Sequence, residues 1–226
     1  MTSTPGTEST PGTLLGTVTS GVGSAEVWYA WVGANVAAVD DLTSRVLSAS
    51  ERERLTRYRN GAAAGRYVIT RSLVRSVLGD HLSLPPSEVQ ISQTDFGKPV
   101  VAGALHFNVS HSGDLVLLAL SADRAVGIDV ERCRGVERVS ALVARWLTSA
   151  EQQDVARRVD GGADLSEAFL RVWSLKEARL KALGVGIANA AHADIDAVSV
   201  LPLDELLEQL DPGTESEGYI GAVAFA

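Results

Sequence analysis

Lys176-Glu177-Ala178-Arg179-Leu180-Lys181-Ala182-Leu183-Gly184 aligns without a gap on Arg71-Ser72-Leu73-Val74-Arg75-Ser76-Val77-Leu78-Gly79. That internal repeat decides the fold. Each stretch closes a helical pattern, over about 63–78 and about 165–183, and each ends on the glycine that commonly stops a helix. A capping box precedes each, Ser48-Ala49-Ser50-Glu51 and Thr148-Ser149-Ala150-Glu151; its hydroxyl satisfies one exposed helix amide while its glutamate reaches back. Strands are expected at 26–32, 89–92, 105–109, 115–121, 126–130, 197–201 and 219–225. The chain therefore reads as α+β, in two pseudo-symmetric halves of residues 23–122 and 123–226. Each half is a small, mainly antiparallel sheet packed with a long helix, and the second carries a metal site. Ahead of them, Ser3-Thr4-Pro5-Gly6-Thr7 is repeated at Ser9-Thr10-Pro11-Gly12-Thr13; such composition buries too little to offset its ordering entropy, and residues 1–22 are expected to be a disordered tail.

Composition narrows the function classes. A net charge of −8 argues against a general nucleic-acid binder. The longest apolar run, 115–120, is too short to span a bilayer, so no membrane partner is expected. No basic-then-apolar leader is present and Cys133 is the single cysteine, which excludes a disulfide framework and makes the cytoplasm the expected compartment. Cys133 lies between Arg132 and Arg134 with no catalytic context. Of 20 basic residues only Lys98, Lys176 and Lys181 are lysines. Eight arginines between Arg45 and Arg75 face only Glu51 and Glu53 as counter-charges; they are a solvated helix face or a receiver of phosphates, for which the guanidinium fork is suited.

The chemistry gathers elsewhere. In Gly127-Ile128-Asp129-Val130-Glu131 strand alternation puts Asp129 and Glu131 on one face, opposite Val126, Ile128 and Val130. On the second long helix Glu177 and Lys181 lie one turn apart. Read singly, the first is an acidic strand face and the second a routine surface pair. Read together, three carboxylates with a lysine beside them suit a hard divalent cation holding a polyphosphate. His111 sits between Ser110 and Ser112, and the chain has no Gly-x-Ser-x-Gly elbow, so a phosphate-binding loop is the better reading than a hydrolase triad. His81, His106 and His192 have no ligand spacing, and Gly184-Val185-Gly186 is a helix stop rather than a dinucleotide loop.

Four motifs in this order carry a family resemblance: Phe96-Gly97-Lys98-Pro99, Phe107-Asn108-Val109-Ser110-His111-Ser112, Gly127-Ile128-Asp129-Val130-Glu131, and Trp173-Ser174-Leu175-Lys176-Glu177-Ala178 with Lys181. Across roughly residues 45–190 the chain resembles the 4′-phosphopantetheinyl transferases of the surfactin-synthetase-activating type. The resemblance implies Mg-dependent transfer of 4′-phosphopantetheine from coenzyme A to a serine of an acyl or peptidyl carrier protein, releasing adenosine 3′,5′-bisphosphate. It implies Asp129, Glu131 and Glu177 as Mg²⁺ ligands, Glu177 as the base and Lys181 as the cation on the diphosphate. Arg54, Arg66, Lys98, Ser110, His111 and Lys181 would grip coenzyme A. Two positions depart from the pattern: Glu51-Arg52-Glu53-Arg54 stands where relatives often have lysines, and Tyr67 where a threonine is expected. The two-half plan places the cleft within one chain, which suggests a monomer. Two other readings remain at this stage, a non-catalytic carrier-binding module of the same fold and a Mg-dependent pyrophosphate hydrolase.

Overall fold

The computed structural model describes residues 11–188, 193–210 and 218–226. Its first element corrects one expectation. Thr13–Thr19 is a strand, β1, paired antiparallel with β2 (Ser24–Trp31) from Thr13↔Tyr29 to Thr19↔Ser24. The Ser-Thr-Pro-Gly repeat obscured a run of β-branched residues, Thr13, Thr17, Val18 and Thr19, followed by a turn in which the Ser20 amide donates to the Gly23 carbonyl at 2.8 Å. Residues 1–10 of the expected tail lie outside the described residues.

Three helices follow: α1 (Val39–Arg45), α2 (Ala49–Leu55) and α3 (Gly61–Leu82). The Ser48 capping box forms as expected. Helix α3 does not stop at Gly79 but runs on to Leu82, and Ser83, at φ 55°, is its left-handed cap. Gly79 instead permits a close approach, since a Cβ there would lie 2.8 Å from the Leu84 carbonyl oxygen. Strands β3 (Ile91–Gln93) and β4 (Pro99–Val101) form a separate hairpin, and β4 was not expected from the sequence. Strands β5 (His106–Ser112) and β6 (Leu115–Ser121) complete a sheet of order β1-β2-β6-β5.

The rest of the chain supplies β7 (Val126–Arg132), α4 (Val139–Trp146), α5 (Ser149–Asp160), α6 (Leu165–Leu183), β8 (Ser199–Pro202), α7 (Asp204–Leu207) and β9 (Tyr219–Phe225). Here the second sheet has the order β7-β9-β8, all antiparallel. The Thr148 capping box opens α5, and α6 ends on Gly184 at φ 73°, as its sequence predicts.

The apolar run of β6 is buried on both faces, which is why it does not alternate. Val116, Leu118 and Leu120 pack with Leu73, Val77 and Leu78 of α3. Leu115, Leu117 and Ala119 instead join Val126, Ile128 and Val130 of β7 with Val223 and Phe225 of β9. This second core belongs to both sheets, so neither sheet buries its apolar face without the other. Truncating Leu118, fully buried, to alanine would cost about 2–5 kcal/mol. Among the described residues no helix is long and apolar enough to cross a membrane.

Candidate functional site

Helix α6 lies directly on β7, and one missing side chain allows it. A Cβ on Gly127 would stand 2.1 Å from the Ala178 carbonyl oxygen and 2.3 Å from the Ala182 amide nitrogen. With nothing there, the Gly127/Asp129/Glu131 face of the strand meets the Glu177/Lys181 face of the helix. Lys181 Nζ reaches Asp129 Oδ1 at 2.6 Å and Ser110 Oγ at 3.0 Å. Asp129 is 5% exposed; its Oδ1 also accepts from Ser110 Oγ at 3.0 Å, while Oδ2 is buried without a hydrogen-bond partner. Glu131 Oε2 accepts from Ser112 Oγ at 2.9 Å and lies 3.5 Å from an Arg134 guanidinium nitrogen.

Electrostatics bind the acids into one group. Burial pushes the Glu177 carboxyl above its ordinary range; Lys181 opposes this, and the charges of Asp129 and Glu131 reinforce it. Glu131 is likewise raised, by burial first, eased by the Ser112 hydroxyl and then pushed further by Asp129. Three carboxylates within one another's field, one with an orphaned buried oxygen, are the donor set a hard cation would stabilise. They are not, however, closed around a point: among the described residues no three His, Cys, Asp or Glu side chains form a ready metal cluster. Lys181 lies among the carboxylates as an ion pair to Asp129 Oδ1.

The expected coenzyme A contacts divide into those near the acids and those apart from them. His111 lies on β5, not in a loop, because pairing with β6 continues to Ser112↔Leu115. It is solvent-accessible yet crowded: partial loss of water, then the charges of Arg66 and Lys181, holds its imidazole below the ordinary range and therefore neutral at pH 7. Arg66 of α3 thus acts on His111 by its charge alone. Arg54 sits over the Tyr67 ring, 5.5 Å from its centroid, and Tyr67 in turn packs on Tyr58 at 5.1 Å. With Arg57, Tyr58, Arg59 and Asn60, Arg54 lines an open hollow of about 870 Å³, and with Glu51, Tyr67, Arg71 and Gln93 it lines an adjoining one of about 420 Å³. Neither hollow is lined by the acids.

Two more of the expected coenzyme A residues bond within the protein. Lys98 Nζ donates to the Ala182 carbonyl at 2.9 Å and the Val126 carbonyl at 3.1 Å. Ser110 Oγ donates to Asp129 Oδ1 at 3.0 Å. Sequence reading also passed over Asn108 and Ser112, which share the Ser110 face of β5. Their signal was the two-residue spacing of polar side chains along one face of the strand.

Comparison with known proteins follows the two halves. Residues 38–123 match the 4′-phosphopantetheinyl transferase N-terminal family model, and residues 125–218 match that of the 4′-phosphopantetheinyl transferase superfamily. The chain is 34% identical over 154 residues to a phosphopantetheinyl transferase of Thraustochytrium sp., covering 62% of this chain and 54% of that protein. It is 32% identical over 154 residues to a 4′-phosphopantetheinyl transferase of Nostoc sp., covering 66% and 64%. To the L-aminoadipate-semialdehyde dehydrogenase-phosphopantetheinyl transferase of Xenopus laevis it is 32% identical over 163 residues, covering 65% and 52%. The chain thus spans between about half and two thirds of the length of these relatives. Matched in both halves by models of one enzyme type, it belongs to the 4′-phosphopantetheinyl transferase superfamily.

Proposed function

We propose that the chain is a holo-carrier-protein synthase of the surfactin-synthetase-activating type, moving 4′-phosphopantetheine from coenzyme A onto a serine of an acyl or peptidyl carrier protein. The observation that carries this reading is the junction at β7: Lys181 of α6 and Ser110 of β5 meet on Asp129, inside the fields of Glu131 and Glu177. Asp129, Glu131 and Glu177 would hold Mg²⁺, whose chemistry is to neutralise the diphosphate as charge builds on the leaving group. The remaining work falls to side chains. Glu177, made more basic by burial and by its acidic neighbours, takes the proton from the attacking serine hydroxyl. As that oxygen bonds to the phosphorus bearing the pantetheine arm, the phosphorus–oxygen bond within the diphosphate breaks and adenosine 3′,5′-bisphosphate departs. Lys181 sits one helical turn from Glu177 and offers its ammonium to the diphosphate oxygens. Arg54, Arg66 and neutral His111 form the route by which the adenosine end approaches, along the basic edge of α2 and α3.

Incubation with coenzyme A, Mg²⁺ and an apo carrier protein, followed by intact-protein mass spectrometry, tests the proposal. The expected result is a carrier heavier by one phosphopantetheine group. Diphosphate cleavage with an unchanged carrier would replace this reading by a hydrolase, and carrier binding without either change would replace it by a binding module.

A further inference from the structure

Strand β7 is the outer strand of its sheet, so its alternate N–H groups point away from β9 and need partners. Three of them find side chains instead of backbone. The Ile128 amide donates to Asn108 Oδ1 at 2.9 Å, the Val130 amide to Ser110 Oγ at 3.3 Å and the Arg132 amide to Ser112 Oγ at 3.1 Å. Acceptors two residues apart on β5 match donors two residues apart on β7, so the strands run parallel and are laced by side chains across the joint between the halves. A hydroxyl that accepts there has its one proton left to give. Ser110 gives it to Asp129 and Ser112 gives it to Glu131, at 3.0 and 2.9 Å.

We propose that the Asn108–Ser110–Ser112 ladder is a positioning device for the carboxylates of β7, and that Ser112 is the positioning residue for Glu131. The inference rests on the proposed role of Asp129 and Glu131 toward a divalent cation. Besides Ser112, the Glu131 carboxylate has Arg134 beside it, but that guanidinium is surface-exposed and 3.5 Å away, too loose to fix the carboxylate by itself. A half-buried serine that receives a backbone amide with one lone pair and directs its proton at the carboxylate restricts where Glu131 can point. The rest of the ladder keeps β5, and hence Ser112, at a fixed offset from β7.

Mn²⁺ binding, followed by electron paramagnetic resonance with coenzyme A present, reads this without turnover. Loss of an outer hydrogen bond to a metal ligand typically weakens metal affinity about 10–100-fold, and Ser112→Ala is expected to fall in that range. Ser112→Cys, close in size but a poor hydrogen-bonding group, is expected to behave like Ser112→Ala and carries the test should alanine unfold the joint. Ser112→Thr, which keeps the hydroxyl, is expected to restore binding. In steady state the KM for coenzyme A should stay near wild type while the Mg²⁺ needed for half-maximal rate rises in step with the Mn²⁺ constant. Wild-type Mn²⁺ affinity in both Ser112→Ala and Ser112→Cys, or a loss in Ser112→Thr as deep as in Ser112→Ala, would overturn the positioning role alone. Failure of the wild-type protein to bind Mn²⁺ would overturn it together with the proposed metal ligands.

Discussion

Helices α3 and α6 hold equivalent places in the two halves, yet the residues they align diverge where chemistry is concerned and agree where support is concerned. Opposite Glu177 and Lys181 of α6 stand Ser72 and Ser76 of α3, 0% and 3% exposed. Opposite Lys176, however, stands Arg71, and both serve one purpose: each sends its cation to the glutamate of the preceding capping box, Lys176 to Glu151 at 2.8 Å and Arg71 to Glu51. A capped short helix locked to a long helix by a cation is thus the common scaffold, and the acid site is an addition to one copy of it. The addition is possible because β7 offers Gly127 and two acids to α6.

The largest effects should separate the aligned positions. Glu177→Gln is expected to reduce transfer about 10²–10⁴-fold, the worth of a positioned general base, and Asp129→Ala by a comparable factor, with the fold intact in both. Ser72→Ala, at the position aligned with Glu177, should leave turnover unchanged and stability equal or improved, because its buried hydroxyl has no partner to lose. Rates of carrier modification decide this; a fall in Ser72→Ala to the level of Glu177→Gln would mean that the halves are not functionally unequal.

The next contrast concerns the shared scaffold. Burial works to raise the Glu51 carboxyl, but Arg71 and Arg75 overcome it and hold it below the ordinary range. Glu51→Ala strands Arg75, 3% exposed, and costs about 3–5 kcal/mol, the usual penalty for removing one partner of a buried ion pair. Glu151→Ala strands Lys176, also 3% exposed, but a lysine can shed its proton where an arginine cannot. Its cost should accordingly be smaller than that of Glu51→Ala. Urea midpoints at pH 7 give the order; equal losses would show that lysine stays charged.

Much of this scaffold was legible in the residues. The gap-free repeat located both long helices, the capping boxes located their short partners, and the motif around Asp129 and Glu177 located the acid site. What escaped was set by contacts distant in sequence. Gly79 resembles Gly184 as a helix stop, and only the approach of Leu84 and Pro86 shows that it lies inside its helix. Thr13 looked like the end of a polar repeat until β2 appeared beside it. Ser110 looked like a phosphate contact beside a histidine, because nothing local reveals that the β7 edge lies against it. A lysine beside the acids was expected, but its direct contact with Asp129 Oδ1 depends on the packing of α6 on β7 and was not legible.

The smallest expected effect distinguishes how the two long helices end. Backbone bonds close both helices, from the Leu84 amide to the Gly79 carbonyl in α3 and from the Val185 amide to the Leu180 carbonyl in α6, but α6 also presents its Ala182 carbonyl to Lys98, a side chain of the other half. Burial lowers the Lys98 amine to about 8. Below that value the native protein must keep a charge that water would hold more easily. Between about pH 8 and the ordinary lysine value near 10.5 the unfolded chain retains a proton that the folded chain has released, so stability rises with pH across this window. The full contribution is present above the unfolded value and is lost as pH falls through about 8. The gap converts to a ceiling of about 3 kcal/mol. Two carbonyl acceptors and residual solvent, both of which favour the ammonium, reduce it to ~1 kcal/mol. Denaturant titrations at pH 7.5 and 10 should therefore show wild type gaining about that much relative to Lys98→Met. A gap that stays constant with pH would place the amine in water, leaving α6 without this tie to the other half.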